Sequence, residues 1–353
     1  MKKVLNIDVL RAMALLLVIV YHVWVLSGSW YIIEPINTYV VLGGEIGVTT
    51  FFLLSGYGIY FSLSNMDDKK NISFKNFFYK RIKRIIPEYY LTLILCLFIT
   101  SQAQYLVKEN ILNILSHFLF VHNIREEWFG AINGVLWTMA VIVQFYVVAI
   151  PLYYCIKNKP IFTFISSVLF TVLMKYYIFT EFMSVIGMNN TSNFFMGRQL
   201  FTSLDNFVVG MFVAYIIKNG IFYTKQRYLA TISVFSIVSI YYVCQIGFKY
   251  GIHTSNISGA TWHSILAISL GLLMYGLSYL RLNENNFLYK KFLWLAKYEY
   301  GIYLWHLVII RTLMEYSGIV KNMMNDGNHL LMIVVLTTIS VFIGYVMSKI
   351  KLE

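Results

Sequence analysis

Three residues near the start of the chain, Asp8, Arg11 and His22, could do chemistry together, because each interrupts a stretch that is otherwise apolar. Ionisable side chains in such a stretch are costly to desolvate and mark a site or a pathway. Arg11 and His22 are eleven residues apart. On an α-helix that spacing puts them within about 20° of one face and about 16 Å apart along the axis. Asp8 precedes Arg11 by three residues and joins the same stripe. One polar face therefore runs from a membrane surface to a histidine expected deep in the bilayer. A neutral imidazole there could take a proton from a hydroxyl as general base, or accept an acyl group and pass it on. The plainer alternative is an Arg11 that snorkels to the interface and a His22 that only packs.

A second candidate is the basic run Tyr79-Lys80-Arg81-Ile82-Lys83-Arg84-Ile85-Ile86-Pro87. Arg81 and Arg84, three apart, share a helix face, and guanidinium groups suit bidentate phosphate binding; an ordinary basic membrane anchor would look the same. Ser55-Gly56-Tyr57-Gly58 offers small residues for close helix approach. His306 stands within Tyr303-Leu304-Trp305-His306, and Tyr303 or Asp8 could orient a catalytic ring. The stretch Tyr105–Leu136 carries His117, His122, Glu126, Glu127, Trp128 and Asn133, either a sugar platform or an exposed amphipathic loop. No Gly-rich phosphate loop, Gly-x-Ser-x-Gly nucleophile or spacing typical of metal ligands is present, so no metal is expected.

These residues need a scaffold, and composition says which. Apolar residues make up 59% of the 353, and only 12% are charged, against about 25% in soluble domains. Cys96, Cys155 and Cys244 lie in apolar runs without CxxC spacing and read as small hydrophobes. The first apolar run has no small-residue cleavage signature and reads as a permanent helix. Runs of the length needed to cross hydrocarbon fall at 9–27, 40–62, 86–103, 136–156, 160–180, 200–217, 228–246, 260–279, 299–315 and 329–348. The expected fold is an all-α polytopic bundle of about ten spans, one membrane domain over 1–353 with no appended soluble domain; the 104–135 stretch could hide a re-entrant piece.

Orientation follows from Lys and Arg. With both termini cytoplasmic, 20 of the 28 lie on inner termini, loops or helix ends, and five (Lys108, Arg125, Arg198, Lys249 and Lys321) lie outside. The same asymmetry accounts for the net charge of +12 without a nucleic-acid partner.

Taken in order, these segments resemble the acyltransferase-3 family of integral membrane acyltransferases. The resemblance rests on Asp8-Val9-Leu10-Arg11-Ala12-Met13-Ala14 followed by His22, and on Phe51-Phe52-Leu53-Leu54-Ser55-Gly56-Tyr57. It continues through Phe78–Pro87 with its Arg-x-x-Arg, Leu136-Trp137-Thr138-Met139 leading to Gln144-Phe145-Tyr146, and Tyr300–His306. One departure stands out: many members carry an acidic pair just before Gln-Phe-Tyr, where this chain has Ile142 and Val143.

The resemblance implies transfer of an acyl group, most often acetyl from cytoplasmic acetyl-CoA as co-substrate, to a hydroxyl of a surface glycan or lipid-linked sugar. It implies His22 as the catalytic residue and Arg11, Arg81 and Arg84 as donor-binding residues. Asp8, Ser55, Tyr57, Trp137, Tyr303 and His306 are then supporting or acceptor-side. The bilayer of a cell membrane is the expected location, and the Lys-, Asn-, Ile- and Tyr-rich usage points to a bacterium. The competing class is an exporter or flippase of polysaccharide, which needs no acyl-CoA.

The charge split generates a test. Cysteine labelling of intact cells should find the Asp67–Lys75 loop shielded and the Met188–Asn193 loop exposed; labelling of both from one side contradicts the topology.

Overall fold

The computed structural model describes residues 5–69, 72–99, 110–182, 190–221, 226–254, 257–280 and 285–350. Lys2, Lys3, Lys70, Lys108, Lys225, Arg281 and Lys351 of the charge count, and the start of the Tyr105–Leu136 stretch, lie outside these residues.

Every described element is helical. The long helices are α1 (Leu5–Leu26), α3 (Gly43–Asp68), α4 (Phe74–Ile99), α7 (Trp137–Asn158), α8 (Pro160–Tyr177), α10 (Leu204–Lys218), α11 (Gln226–Tyr250), α12 (Ile257–Tyr279), α14 (Glu299–Tyr316) and α16 (His329–Met347). Shorter pieces intervene: α2 (Ile36–Val41), α5 (Ile111–Phe118), α6 (Glu126–Phe129), α9 (Asn190–Met196), α13 (Phe287–Lys297) and α15 (Gly318–Asn325).

Seven described helices are long and apolar enough to cross a membrane, namely α1, α3, α7, α8, α11, α12 and α16. The remaining three expected spans differ for identifiable reasons. The last 18 residues of α4 carry Lys83, Arg84 and Glu88, and residues 100–103 of that run are not described. Helix α10 has 15 residues, about 22 Å, short of a hydrocarbon core of about 30 Å. Helix α14 carries Glu299, Arg311 and Glu315 in 18 residues.

The chain forms two compact units, each assembled from segments distant in sequence. The first comprises residues 1–11, 48–79 and 141–290; the second comprises 12–47, 80–140 and 291–353. Burial is inverted relative to a soluble protein. On α8 of the first unit, Thr163, Ser167, Thr171 and Lys175 are buried, whereas Ile161, Phe162, Ile165 and Leu169 are exposed. An apolar face turned outward suits hydrocarbon as solvent, and the polar stripe then finds partners inside.

At the centre of the first unit, α10 is buried along Asp205–Ala214. Phe207 stacks between Phe52 and Phe145, with ring centroids 4.7 Å and 4.0 Å away. Backbones touch here: a Cβ on Gly56 would strike the Phe207 carbonyl, and one on Gly210 would strike the Leu53 carbonyl. The small residues of the Ser55–Gly58 motif thus mark a helix crossing, as GxxxG-type contacts do. Asp205 is wholly buried; the Ser264 hydroxyl donates to its Oδ2 and the Asn206 N–H to its Oδ1.

Ion pairs join three helix C-termini at one face of this unit. Lys157 of α7 bonds Asp67 of α3 at 2.6 Å, and Lys218 of α10 bonds Asp68 at 2.6 Å. A cation in the last turn also suits the partial negative charge of a helix C-terminus.

Gly210→Leu should cost at least about 1–3 kcal/mol, because the added atoms meet backbone that cannot rotate away. Gly58→Ala on α3 has nothing within 4 Å of its new Cβ and should be neutral or stabilising by up to about 1 kcal/mol. Thermal unfolding of the two purified variants in one detergent measures the contrast.

Candidate active site

The second unit brings together α1 from Ala12 onward, α4 from Lys80 onward, the Asn110–Ala140 segment, α14 and α16. His22 lies four residues before the end of α1, about 6 Å of helix. It is therefore about one turn from the end of that helix.

His22 meets His306 of α14. His22 Nδ1 lies 2.8 Å from the Val18 carbonyl and 3.2 Å from His306 Nε2. His306 Nδ1 lies 2.6 Å from the Tyr303 carbonyl. The ring centroids are 5.0 Å apart and tilted by 58°. Carbonyl oxygens only accept, so both Nδ1 atoms carry hydrogen. In the neutral pair, His306 Nε2 then offers its lone pair to His22 Nδ1–H, and His22 Nε2 is left with a free lone pair. His306 is fully buried and His22 partly exposed, so the ring able to meet a substrate is the one with the free nitrogen.

The Tyr303 hydroxyl shares a hydrogen bond with Thr138 Oγ1 at 2.9 Å, and Thr138 Oγ1 lies 2.9 Å from the Val135 carbonyl. The Tyr303 carbonyl, through His306, orients the pair. Trp137 is buried at the start of α7, its ring 5.1 Å from Phe129. Asn133 Nδ2 donates to the Leu304 carbonyl at 3.0 Å, tying the Asn110–Ala140 segment to the turn that holds His306.

That segment is tightly folded. Phe120 and Ile132 have φ of 56° and 52°, a left-handed conformation costing non-glycine residues about 1–2 kcal/mol. Both are buried, so surrounding packing holds the strain. His117 and His122 stack with centroids 4.0 Å apart and planes within 7°, both fully buried. They are interior residues and not part of a water-facing platform.

The basic run sits on the same unit. Arg84 is exposed and Arg81 half-buried. One residue beyond Arg84, the Ile85 carbonyl accepts the Tyr300 hydroxyl at 2.9 Å. Tyr300 precedes His306 by six residues, about 9 Å along α14. The late motif Tyr300–His306 therefore docks one end on the basic segment and presents the other to His22.

The other expected residues lie in the first unit. Asp8 is buried and pairs with Arg11 at 3.1 Å. Ser55 and Tyr57 are half-buried on α3. Ile142 and Val143 are buried apolar residues of α7. Ionisable residues in apolar helices that went unread in the sequence include Lys175, Asp205 and Arg311. The signal used for Arg11, a charge inside a hydrophobic run, applies equally to them.

An all-helical membrane protein with a histidine pair and a basic helix face in one unit defines a class that comparison narrows. The acyltransferase-3 family model, described as an acyltransferase domain, matches residues 4–349; the chain belongs to that family. A peptidoglycan O-acetyltransferase of Listeria monocytogenes is 30% identical over 159 residues, covering 42% of this chain and 24% of the relative. A Staphylococcus aureus (strain COL) protein assigned as an O-acetyltransferase is 30% identical over 162 residues, covering 42% of this chain and 24% of its own. A Bacillus subtilis (strain 168) protein assigned as a peptidoglycan O-acetyltransferase is 30% identical over 155 residues, with shares of 40% and 22%. The matched part of the chain thus spans about a quarter of each curated relative. No solved structure matches.

Proposed function

We propose that this chain is a membrane O-acyltransferase of the cell membrane that moves an acyl group, most simply acetyl from acetyl-CoA, to a hydroxyl of a cell-surface glycan or its lipid-linked precursor. The named activity of the Listeria relative makes peptidoglycan the first acceptor to test. The observation that carries the reading is the His22–His306 pair with its free Nε2.

His22 Nε2 removes the acceptor hydroxyl proton as the oxygen attacks the thioester carbonyl. The new C–O bond forms, the C–S bond breaks, and the proton passes to the departing CoA thiolate. While His22 is an imidazolium, its Nδ1–H donates to the Val18 carbonyl and His306 Nε2, which stabilises the cation without a carboxylate. Arg81 and Arg84 hold CoA phosphates at the basic end of the unit, and Arg11 remains a third donor-side candidate. The reading keeps about ten spans with both termini cytoplasmic, which places acyl-CoA on the side of the basic run.

His22→Gln keeps hydrogen bonding but loses basicity, and should lower acyl transfer by about 10²–10⁴-fold with acyl-CoA binding near normal. His306→Ala removes one charge-assisted hydrogen bond and should cost about tenfold or more in kcat. Transfer by purified variants at saturating acyl-CoA decides this; substantial turnover by His22→Gln would place the base elsewhere.

Arg81→Ala or Arg84→Ala should weaken labelled acyl-CoA binding about tenfold or more, and Lys at either position should rescue in part because an ammonium lacks the planar fork. Wild-type binding by both Ala variants would make these residues anchors only. Absence of acyl-CoA binding by wild-type protein would favour the exporter.

A further inference from the structure

The segment after α4 was expected to be either an outer amphipathic loop or a re-entrant piece, and its burial pattern is the reverse of a water-facing loop. On α5 and the turn that follows, Ile111, Leu112, Leu115, Leu119 and Ile124 are exposed, whereas Asn113, Ser116, His117 and His122 are buried. From Asn110 to Ile124 there is no Asp, Glu, Lys or Arg. A helix lying in water would turn the opposite face outward.

Hydrogen bonds locate the segment along its neighbours. The Tyr89 hydroxyl donates to the His117 carbonyl at 3.0 Å, and the Tyr90 hydroxyl to the Phe118 carbonyl at 2.8 Å. Tyr89 is ten residues before Ile99, the last described residue of α4, so the tip of α5 sits about 15 Å from Ile99 along that helix. Half of a hydrocarbon core is about 15 Å. On α4, Ile94 and Phe98 are exposed as well.

We infer that Ile111–Ile124 is a re-entrant hairpin whose apolar face contacts the acyl chains of the bilayer while its polar face packs into the unit that holds His22 and His306. Arg125, Glu126 and Glu127, all exposed, return the chain to the polar interface, with the Arg125 guanidinium 4.9 Å over the Trp128 ring. The hairpin is then a wall between lipid and the histidine pair, and its position does not depend on which reaction the pair performs.

Spin labelling of the protein in liposomes tests this. Cys155→Ala removes the one exposed cysteine; Cys96 and Cys244 are buried. Single labels at Leu112→Cys, Leu115→Cys and Leu119→Cys should collide with oxygen in preference to a water-soluble nickel complex. A label at Glu127→Cys should show the opposite preference. Three positions on one face are used so that any variant that elutes as aggregate is replaced by its neighbour. Nickel-dominated collisions at Leu112 and Leu115 would make the segment a water-facing loop and overturn the inference. Low collision with both reagents would mean that protein covers the face, and would overturn it too.

Discussion

A carbonyl oxygen carries lone pairs and no hydrogen, and that asymmetry organises the candidate site. The Val18 carbonyl takes the Nδ1 proton of His22, and the Tyr303 carbonyl takes that of His306. Each ring is thereby held in one tautomer by its own helix, three or four residues upstream. In a soluble catalytic triad a carboxylate performs this orienting role. In an apolar bundle a carboxylate would itself be costly to bury, whereas a backbone carbonyl is already present and uncharged. The packing of α1 against α14 has to be accurate to a few tenths of an ångström for the 3.2 Å contact between the rings to form.

The elements around the pair serve that accuracy. Tyr300 anchors α14 to the Ile85 carbonyl of α4, and Asn133 anchors the Asn110–Ala140 segment to the Leu304 carbonyl. Both bonds use a long-range side chain to satisfy a main-chain acceptor, which suits a medium where water cannot. The positive-φ residues Phe120 and Ile132 fold that segment back on itself at two buried corners. In the first unit the same economy appears as bare backbone contact at Gly56 and Gly210, around the short helix α10. A helix of 15 residues survives there because its neighbours, and not lipid, surround it.

Much of the fold was legible in the chain itself, because hydrocarbon imposes its requirement locally. A run of about 20 apolar residues is an α-helix whatever follows it, and α7, α8, α12 and α16 fall close to the runs that announced them. Where charges enter a run, as in α4 and α14, hydropathy stops being decisive, and the helix forms by packing instead. The stripe Asp8–Arg11–His22 was readable from helical periodicity; that Asp8 and Arg11 pair at 3.1 Å is a finding of the structure. Periodicity was as informative for Lys175, Asp205 and Arg311, where a single charge in an apolar run marks a buried polar contact or a site.

What no local pattern could supply is who meets whom. His22 and His306 are 284 residues apart, and either alone reads as a packing histidine. Their contact exists only because α1 and α14 pack side by side, and the tautomer that frees Nε2 follows from that contact and from backbone geometry. The same holds for α5. Its amphipathic spacing is visible in the sequence, but spacing does not say which face looks outward; Tyr89 and Tyr90 decide that by holding the segment against α4. Sequence determined the helices and their candidate chemistry, because both depend on short-range periodicity and on the local cost of burying charge. Tertiary structure decided the pairings, because those depend on contacts between residues that the chain keeps far apart.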